Sequence, residues 1–207
     1  MEFIKNTMFE VKVSNSVRNQ TQHVPGKFGE GTGSGFTPDN CSAGMLCVQN
    51  GLIPSEGYES VVDAAGNARI LNGNTWYFNA AADGKAGGAV GDHTGIFAFD
   101  NYDVNRAVSG DNRWNVGINT LGIGLPEGER GDFCEILVGE QYAFGIGNFT
   151  ADPADNKYAT VANGLLTPVA DKPASGSGVY FEILRSVPVN EGASFWGNGY
   201  ILRANRA

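Results

Sequence analysis

The sequence predicts an all-β protein, built as a barrel or sandwich of short antiparallel strands. Short runs in which apolar and polar residues alternate recur along the chain, separated by glycine- and asparagine-rich turns. The chain has 30 glycines in 207 residues, about twice the usual share, which suits many tight turns. Only 17% of the residues are charged, which disfavours long solvated helices. The absence of strand–helix alternation argues against a doubly wound enzyme fold.

The first predicted element is a strand at 9–13, where apolar and polar residues alternate cleanly. Residues 14–35 are polar and end in a glycine-rich run, which predicts a flexible linker. Residues 1–35 carry a net charge of +1 against −9 for the rest. We therefore interpret 1–34 as an extended N-terminal arm that docks on another protein, and 35–207 as a β-rich body. An edge strand of the protein's own sheet is an equal alternative.

The body is predicted to contain a series of short strands joined by turns. The turn signals are Asn50-Gly51, Asn72-Gly73 and Gly139-Glu140, since glycine and asparagine tolerate the positive φ angles of two-residue hairpins. One short helix is predicted within 57–68. The predicted strands are 45–48, 70–71, 75–78, 96–99, 114–118, 133–138, 142–146, 158–161, 179–184 and 200–202.

Two segments of the body, 36–53 and 149–166, read as copies of one unit. Seven positions are identical at a constant offset of 113 residues. Each copy begins with Phe-Thr-x-Asp and ends with Val-x-Asn-Gly-Leu. The match predicts an internal duplication in which Asn50-Gly51 and Asn163-Gly164 both occupy hairpin turns. Chance similarity between two glycine-rich hairpins is the alternative.

Charge and cysteine content restrict the function classes. The net charge of −8 argues against nucleic-acid binding, which needs clustered lysine and arginine. No run is long enough to span a bilayer, and the first residues lack the basic and apolar regions of a signal peptide. The cysteines, Cys41, Cys47 and Cys134, are odd in number. They are expected to be free thiols packed as small apolar side chains.

No motif identifies a reaction. The glycine run at 29–35 lacks the Gly-Lys-Ser/Thr ending of a phosphate loop. His23 and His93 are the only histidines, too few for a histidine-rich metal site. Cys134 is followed by Glu135, whose charge opposes thiolate formation. We therefore expect no enzymatic activity, no metal and no cofactor.

The aromatic residues are the more informative contact candidates. Trp76, Tyr77 and Trp196 lie beside predicted turns. Consecutive aromatics in a strand point to opposite faces, so at least one of Trp76, Tyr77 and Phe78 is expected away from the core. Exposed aromatics would stack on sugars or anchor an interface. Burial in the core is the more frequent alternative.

Several turn-and-strand phrases resemble small structural proteins of tailed-phage heads. The likeness spans residues 36–203 and includes the run from Cys41 to Cys47 and Trp76-Tyr77-Phe78. The other phrases are 50–52, 74–80, 122–126, 142–148, 163–165 and 179–182. In this respect the chain resembles a capsid decoration, or cement, protein of tailed bacteriophages.

This resemblance implies a non-enzymatic virion structural protein, made in the host cytoplasm and bound to the capsid exterior. Its implied partner is the major capsid protein, on which it would form a homo-oligomer, without binding nucleic acid or membrane. The expected capsid-binding residues are those of the arm, which would add a strand to a neighbouring sheet: Phe3, Ile4, Phe9, Val11 and Val13. The alternative is a ligand- or carbohydrate-binding β-module, such as a head fibre or receptor-binding protein, using Trp76, Tyr77 or Trp196.

Overall fold

The computed structural model describes residues 7, 9–13, 23–53, 60–62, 68–70, 75–85, 93–100, 124–191 and 194–207, and the described part is nearly all β. Its strands are β1 (Phe9–Val13), β2 (His23–Glu30), β3 (Thr37–Pro38), β4 (Leu46–Leu52), β5 (Ser60–Val62), β6 (Ala68–Ile70), β7 (Trp76–Ala80), β8 (His93–Asp100), β9 (Gly131–Leu137), β10 (Gln141–Gly145), β11 (Tyr158–Ala162), β12 (Leu165–Val169), β13 (Val179–Glu191) and β14 (Ser194–Arg206). Short 3-10 turns lie at Gly33–Gly35 and Ile146–Asn148. Within these ranges no helix has the length and apolar character needed to cross a membrane. The predicted fold class, all-β, is confirmed.

Five strands close into a barrel in the order β2-β7-β4-β8-β9, with β9 pairing back to β2. The β2–β7 pair is parallel, and the other pairs in the ring are antiparallel. The short strand β3 pairs with the end of β2, at Gly29 and Glu30. Closure leaves the ring strands with partners on both sides over part of their length, which protects the backbone groups that an open sheet exposes at its edges.

A second sheet has the order β1-β10-β14-β13-β11-β12, and all of its pairs are antiparallel. The chain that follows β10 returns to β12, where Phe149 bridges Leu166. There the amide of Thr150 donates to the carbonyl of Leu166 at 2.9 Å. We call the two units the barrel and the sheet.

The barrel and the sheet share a wall. Successive side chains of β8 point to opposite faces, as in any strand. Phe97 and Phe99 therefore pack inside the barrel, while Ile96 and Ala98 pack against the sheet. The barrel core comprises Phe28, Cys41, Cys47, Phe78, Phe97, Phe99, Leu125 and Phe133. The core between barrel and sheet takes Leu46, Ile96, Ala98, Cys134 and Ile136 from the wall and Tyr142, Phe144, Phe181 and Leu202 from the sheet.

The turn between β11 and β12 attaches the sheet to the end of the barrel. Ala162 pairs with Leu165, so Asn163 and Gly164 form a two-residue turn with φ angles of 48° and 79°. Positive φ at both positions is the type I′ pattern. The turn carbonyl of Gly164 accepts from the amide of Leu46 at 2.8 Å, and its amide donates to Ala81 at 2.9 Å. The predicted hairpin at Asn163-Gly164 is confirmed.

The same dipeptide behaves differently in β4, where the predicted hairpin is wrong. Gln49 pairs with Phe78 and Leu52 with Trp76, so Asn50 and Gly51 together face one residue of β7. This is a β-bulge, and the φ of +93° at Gly51 serves it without reversing the chain. The segments 36–53 and 149–166 thus pair differently, and their likeness in sequence is not matched by a likeness in topology.

The predicted division at residue 34 does not agree with the strand pairing. β2 is a barrel strand, and β1 is an edge strand of the protein's own sheet, which was the alternative to a docking arm. Gly26 and Gly29 are not linker residues. A side chain at Gly26 would collide with the Phe78 ring, and one at Gly29 with the carbonyl of Thr37. These glycines allow strands to pack closely, which composition alone cannot distinguish from flexibility.

Two smaller predictions are also corrected. Residues 60–62 and 68–70, predicted within or beside a helix, form the antiparallel pair β5–β6. Gly139-Glu140 does not join two paired strands, because β9 belongs to the barrel and β10 to the sheet. Gly139, with φ of +89°, instead lies in a corner where the amide of Glu140 donates to Leu137 at 3.3 Å. The predicted turn at Asn72-Gly73 and the predicted strand at 114–118 lie outside the described residues.

Candidate functional site

The predicted capsid-binding residues that the structure describes, Phe9, Val11 and Val13, lie in β1, which pairs with β10 of the protein's own sheet. Phe9 is only 6% exposed and its ring lies 5.6 Å from that of Tyr142 and 5.5 Å from that of Phe144. It belongs to the protein's own core, so its assignment as a shell contact is wrong. Val11 and Val13 lie in β1, but their side chains are outside the described part of the structure. Phe3 and Ile4 lie outside the described residues altogether.

The predicted aromatic contacts have three different outcomes. Tyr77 is 8% exposed and is covered by Phe36, with ring centroids 4.6 Å apart, so its assignment as an exposed contact is wrong. Trp76 is half-buried and packs against the barrel core. Trp196 lies in β14, and its side chain is outside the described residues. Trp76 and Tyr77 therefore do not form an exposed aromatic strip.

The most prominent candidate contact element is the far end of the β13–β14 pair. The strands have 13 residues each and pair from Val179 with Arg206 out to Glu191 with Ser194. β10 pairs with β14 only at 199–203, and β11 pairs with β13 only at 180–182. Within the described residues, 188–191 and 194–198 thus pair only with each other. We call these residues the β-ribbon.

The β-ribbon is shaped by two bulges. Leu184 is an extra residue at its base, and Trp196 is an extra residue within it, since Val189 pairs with Gly197 and Asn190 with Phe195. Bulges bend a strand and redirect its side chains, and they are frequent at binding sites. Pro188 is exposed and has no amide hydrogen, which is typical of an edge position. These features distinguish the β-ribbon from the regular ladder below it.

A small apolar cluster anchors the base of the β-ribbon on the outer face of the sheet. Ala143 and Ile201 are buried there, and Leu184 and Val187 pack on them. Arg185 and Ser186, at the same level, are exposed. The base is therefore fixed by packing and presents a positive charge to solvent beside the apolar cluster.

A groove of about 410 Å³ opens where β2, β3, β4 and β7 meet. Its lining includes apolar Phe28, Met45 and Ala80, together with Asn79 and the exposed carboxylates of Glu30 and Asp39. Such a lining suits a neutral or positively charged group and disfavours phosphate.

Asn79 connects the strands that border this groove. Its Nδ2 donates to the carbonyl of Gly29 at 2.6 Å and to that of Gly31 at 3.2 Å. Its Oδ1 accepts from Nδ2 of Asn50, in the β4 bulge. The side-chain amide of Asn79 thus links the end of β2 to β4, because its Nδ2 donates to the first and its Oδ1 accepts from the second.

The three cysteines are free, buried thiols, as predicted. Burial raises the pKa of Cys41, and the neighbouring Cys47 raises it further. Burial also raises the pKa of Cys134 to about 12, with added repulsion from Asp100 and Glu135. A thiol with a raised pKa is a poor nucleophile at neutral pH, because the thiolate is the reactive form. This environment suits core packing.

The buried thiol of Cys134 is expected to make the free energy of unfolding decrease at alkaline pH. The pKa of Cys134 rises from 9.0 to about 12 on folding, so the folded state keeps its proton longer than the unfolded state. Its contribution is complete below pH 9 and is lost as pH rises through about 12. We expect the urea midpoint of unfolding to fall across this range, and to fall less steeply in Cys134→Ala. An unchanged slope in that variant would show that the thiol is not responsible.

Other polar residues have structural contacts. Oε1 of Glu135 accepts from the amides of Thr94 and Gly95 at 3.2 and 3.3 Å, where β8 is irregular. Nε2 of His23 lies 3.8 Å from Oδ2 of Asp100. In the described part of the chain, no group of three or more His, Cys, Asp or Glu residues is placed to hold a metal.

Sequence reasoning missed the β-ribbon. Pro188 and the two bulges interrupt the alternation that would have predicted strands of 13 residues. The available signal was Asn190-Glu191-Gly192, a turn-forming stretch flanked by apolar residues on both sides.

Comparison of the chain with sequence profiles of protein families, with characterised proteins and with solved structures gave no match.

Proposed function

We propose that this chain is a non-enzymatic virion structural protein that decorates a phage capsid by binding the major capsid protein on the exterior. The observation that supports this proposal is the β-ribbon. A two-stranded ribbon is only marginally stable by itself in water. Its edges, which pair with no third strand among the described residues, can gain main-chain hydrogen bonds by adding to a partner's sheet.

The net charge of the chain supports the same role. The net charge of −8 suits an outer surface better than a surface that faces packaged DNA. On a lattice many copies bind together, so individually weak contacts sum through multivalency. We propose that the protein acts as a homo-oligomer there and stabilises the shell against internal pressure.

The β-ribbon replaces the N-terminal arm as the proposed docking element. Residues 2–34 include β1, which is paired with β10, and β2, which closes the barrel against β9. Their deletion would open the barrel and expose the core around Phe28. Loss of binding in such a truncation would therefore report unfolding and could not identify a contact.

A sharper test shortens the β-ribbon and reverses one charge at its base. In the first variant, 188–198 are replaced by a two-residue turn; in the second, Arg185, which is exposed, becomes glutamate. Lys157→Glu is the matched control. It reverses the charge of an exposed residue that lies just before β11, away from the β-ribbon. We expect unchanged thermal melting in all three. Affinity for undecorated heads, measured by co-sedimentation, should fall at least about tenfold in the first two variants. Loss of an interface anchor often costs more than about 1.4 kcal/mol, which corresponds to a factor of about ten in the dissociation constant.

A second candidate function, a ligand-binding β-module, is favoured by the groove beside Glu30 and Asp39. Its aromatic form is weakened because Tyr77 is buried beneath Phe36. If the shortened β-ribbon and Arg185→Glu bind heads as well as the unaltered chain does, docking through the β-ribbon is wrong. Ligand binding then becomes the better proposal.

A further inference from the structure

The two Asn-Gly dipeptides differ in chemical exposure. In Asn-Gly sequences the glycine amide nitrogen can attack the side-chain carbonyl carbon of the asparagine, because glycine has no side chain to hinder the approach. The reaction needs a glycine amide that solvent base can reach, because the nitrogen must lose its proton before it attacks. Gly51 is exposed and Gly164 is buried, so the fold leaves the first amide open to solvent and encloses the second.

The backbone amides of Asn163 and Gly164 are both engaged in hydrogen bonds. The amide of Gly164 donates to Ala81 at 2.9 Å and the amide of Asn163 donates to Ala82 at 3.2 Å. Gly164 is buried, and a Cβ at that position would lie 3.1 Å from Cγ of Met45. The attacking nitrogen is therefore engaged and enclosed.

Asn50-Gly51 lies in open surroundings. Both residues are exposed, and a Cβ built on Gly51 would have nothing within 4 Å. They form the β4 bulge, where the regular register between Gln49 and Leu52 is interrupted. Regular pairing is the feature that would hold the glycine amide in place, and a bulge weakens it.

We propose that Asn50 is a site of spontaneous deamidation, and that Asn163 is protected by its hydrogen bonds. The Gly51 nitrogen loses its proton to solvent base and forms a bond to Cγ of Asn50. The bond from Cγ to Nδ2 breaks, and ammonia leaves with a proton from water. Water then opens the five-membered imide to aspartate or isoaspartate. No electrons are transferred, and no enzyme is needed.

The modification breaks the link between β2 and β4. Nδ2 of Asn50 donates to Oδ1 of Asn79, whereas a carboxylate at position 50 offers only acceptors. Asn79 cannot reverse its amide to supply a donor without losing its bonds to the carbonyls of Gly29 and Gly31. The product therefore loosens the border of the acidic groove and adds one negative charge to a chain of net charge −8.

Peptide mapping by mass spectrometry tests the proposal on the full chain aged in mildly alkaline buffer. We expect amide-to-acid conversion at Asn50 to exceed that at Asn163 by about tenfold or more, since two backbone hydrogen bonds protect the second site. In denaturant the two sites should convert at similar rates, which separates the effect of the fold from that of the dipeptide.

Two outcomes would overturn the proposal. One is conversion at Asn163 as fast as at Asn50 in the folded protein. The other is an Asn50 that reacts in denaturant but not in the folded chain. The variant Asn50→Asp mimics one product, and hydrogen exchange at Gly29 to Gly31 should increase in it. Asn50→Gln, which keeps an amide, should abolish the mass change at position 50.

Discussion

Replacing Phe133 by alanine is expected to lower the free energy of unfolding by about 3–5 kcal/mol, the usual cost of truncating a buried phenylalanine. Phe133 is fully buried inside the barrel and stacks on Phe78, with ring centroids 3.9 Å apart. Its ring centroid also lies 5.6 Å from that of Phe99. The closed ring of strands restricts collapse around the vacated space, so the cost should lie in the upper part of the range. Urea denaturation gives the value directly.

Phe36→Ala is the matched control for this prediction. Phe36 is half-buried on the outside of the barrel, where it covers Tyr77. Its loss removes less buried area and leaves a site open to water, so the expected cost is about 1–2 kcal/mol. If Phe36→Ala costs as much as Phe133→Ala, the barrel interior is not the packed core that the structure describes.

The second large effect is expected for Gly178→Ala, at about 2–4 kcal/mol. Gly178 has a φ of +83°, which costs an alanine about 1–3 kcal/mol. The added Cβ would also collide with the carbonyl of Gly84, the group that accepts from the amide of Val179 at 2.7 Å. The substitution must therefore strain the backbone and displace 81–85 from the start of β13, with a further loss of about 1 kcal/mol for the hydrogen bond.

Gly176→Ala separates these two causes. Gly176 has a φ of +82°, almost the same as Gly178, but a Cβ there would have nothing within 4 Å. Thermal and urea unfolding of both variants should show that Gly178→Ala is the more destabilised. Equal losses would mean that backbone conformation alone accounts for the effect, and that the contact with Gly84 contributes nothing.

Local sequence signals correctly predicted a turn where the two strands that flank it pair with each other. The alternation around Asn163-Gly164 correctly predicted a hairpin, because β11 and β12 pair with each other across the turn. The same dipeptide at Asn50-Gly51 failed, because β4 pairs with β7 and β8, strands that lie far along the chain. The conformational freedom of glycine is readable from sequence, whereas the partner that makes use of it is not.

The interpretation of the N-terminal region failed for a related reason. Glycine-rich sequence predicts flexibility when nothing lies beside it, but Gly26 lies against the Phe78 ring. That contact joins residues about fifty positions apart, and no local pattern encodes it. Similarly, burial of Tyr77 in β7 depends on Phe36, which lies just before β3. The all-β class followed from many local signals together, while the β-ribbon depended on bulges that interrupt the alternation.

Closure of the barrel by β2 and β9 has a consequence for synthesis on the ribosome. His23 of β2 pairs with Cys134 of β9, so the ring cannot close until 111 further residues have been added after His23. At usual elongation rates this interval is about 5–20 s. The sheet must also wait, because β10 pairs with β14 near the end of the chain. Until β9 and β14 have been added, apolar strands of the ring and of the sheet lack part of their final partners, and transiently exposed strands of this kind are prone to aggregation.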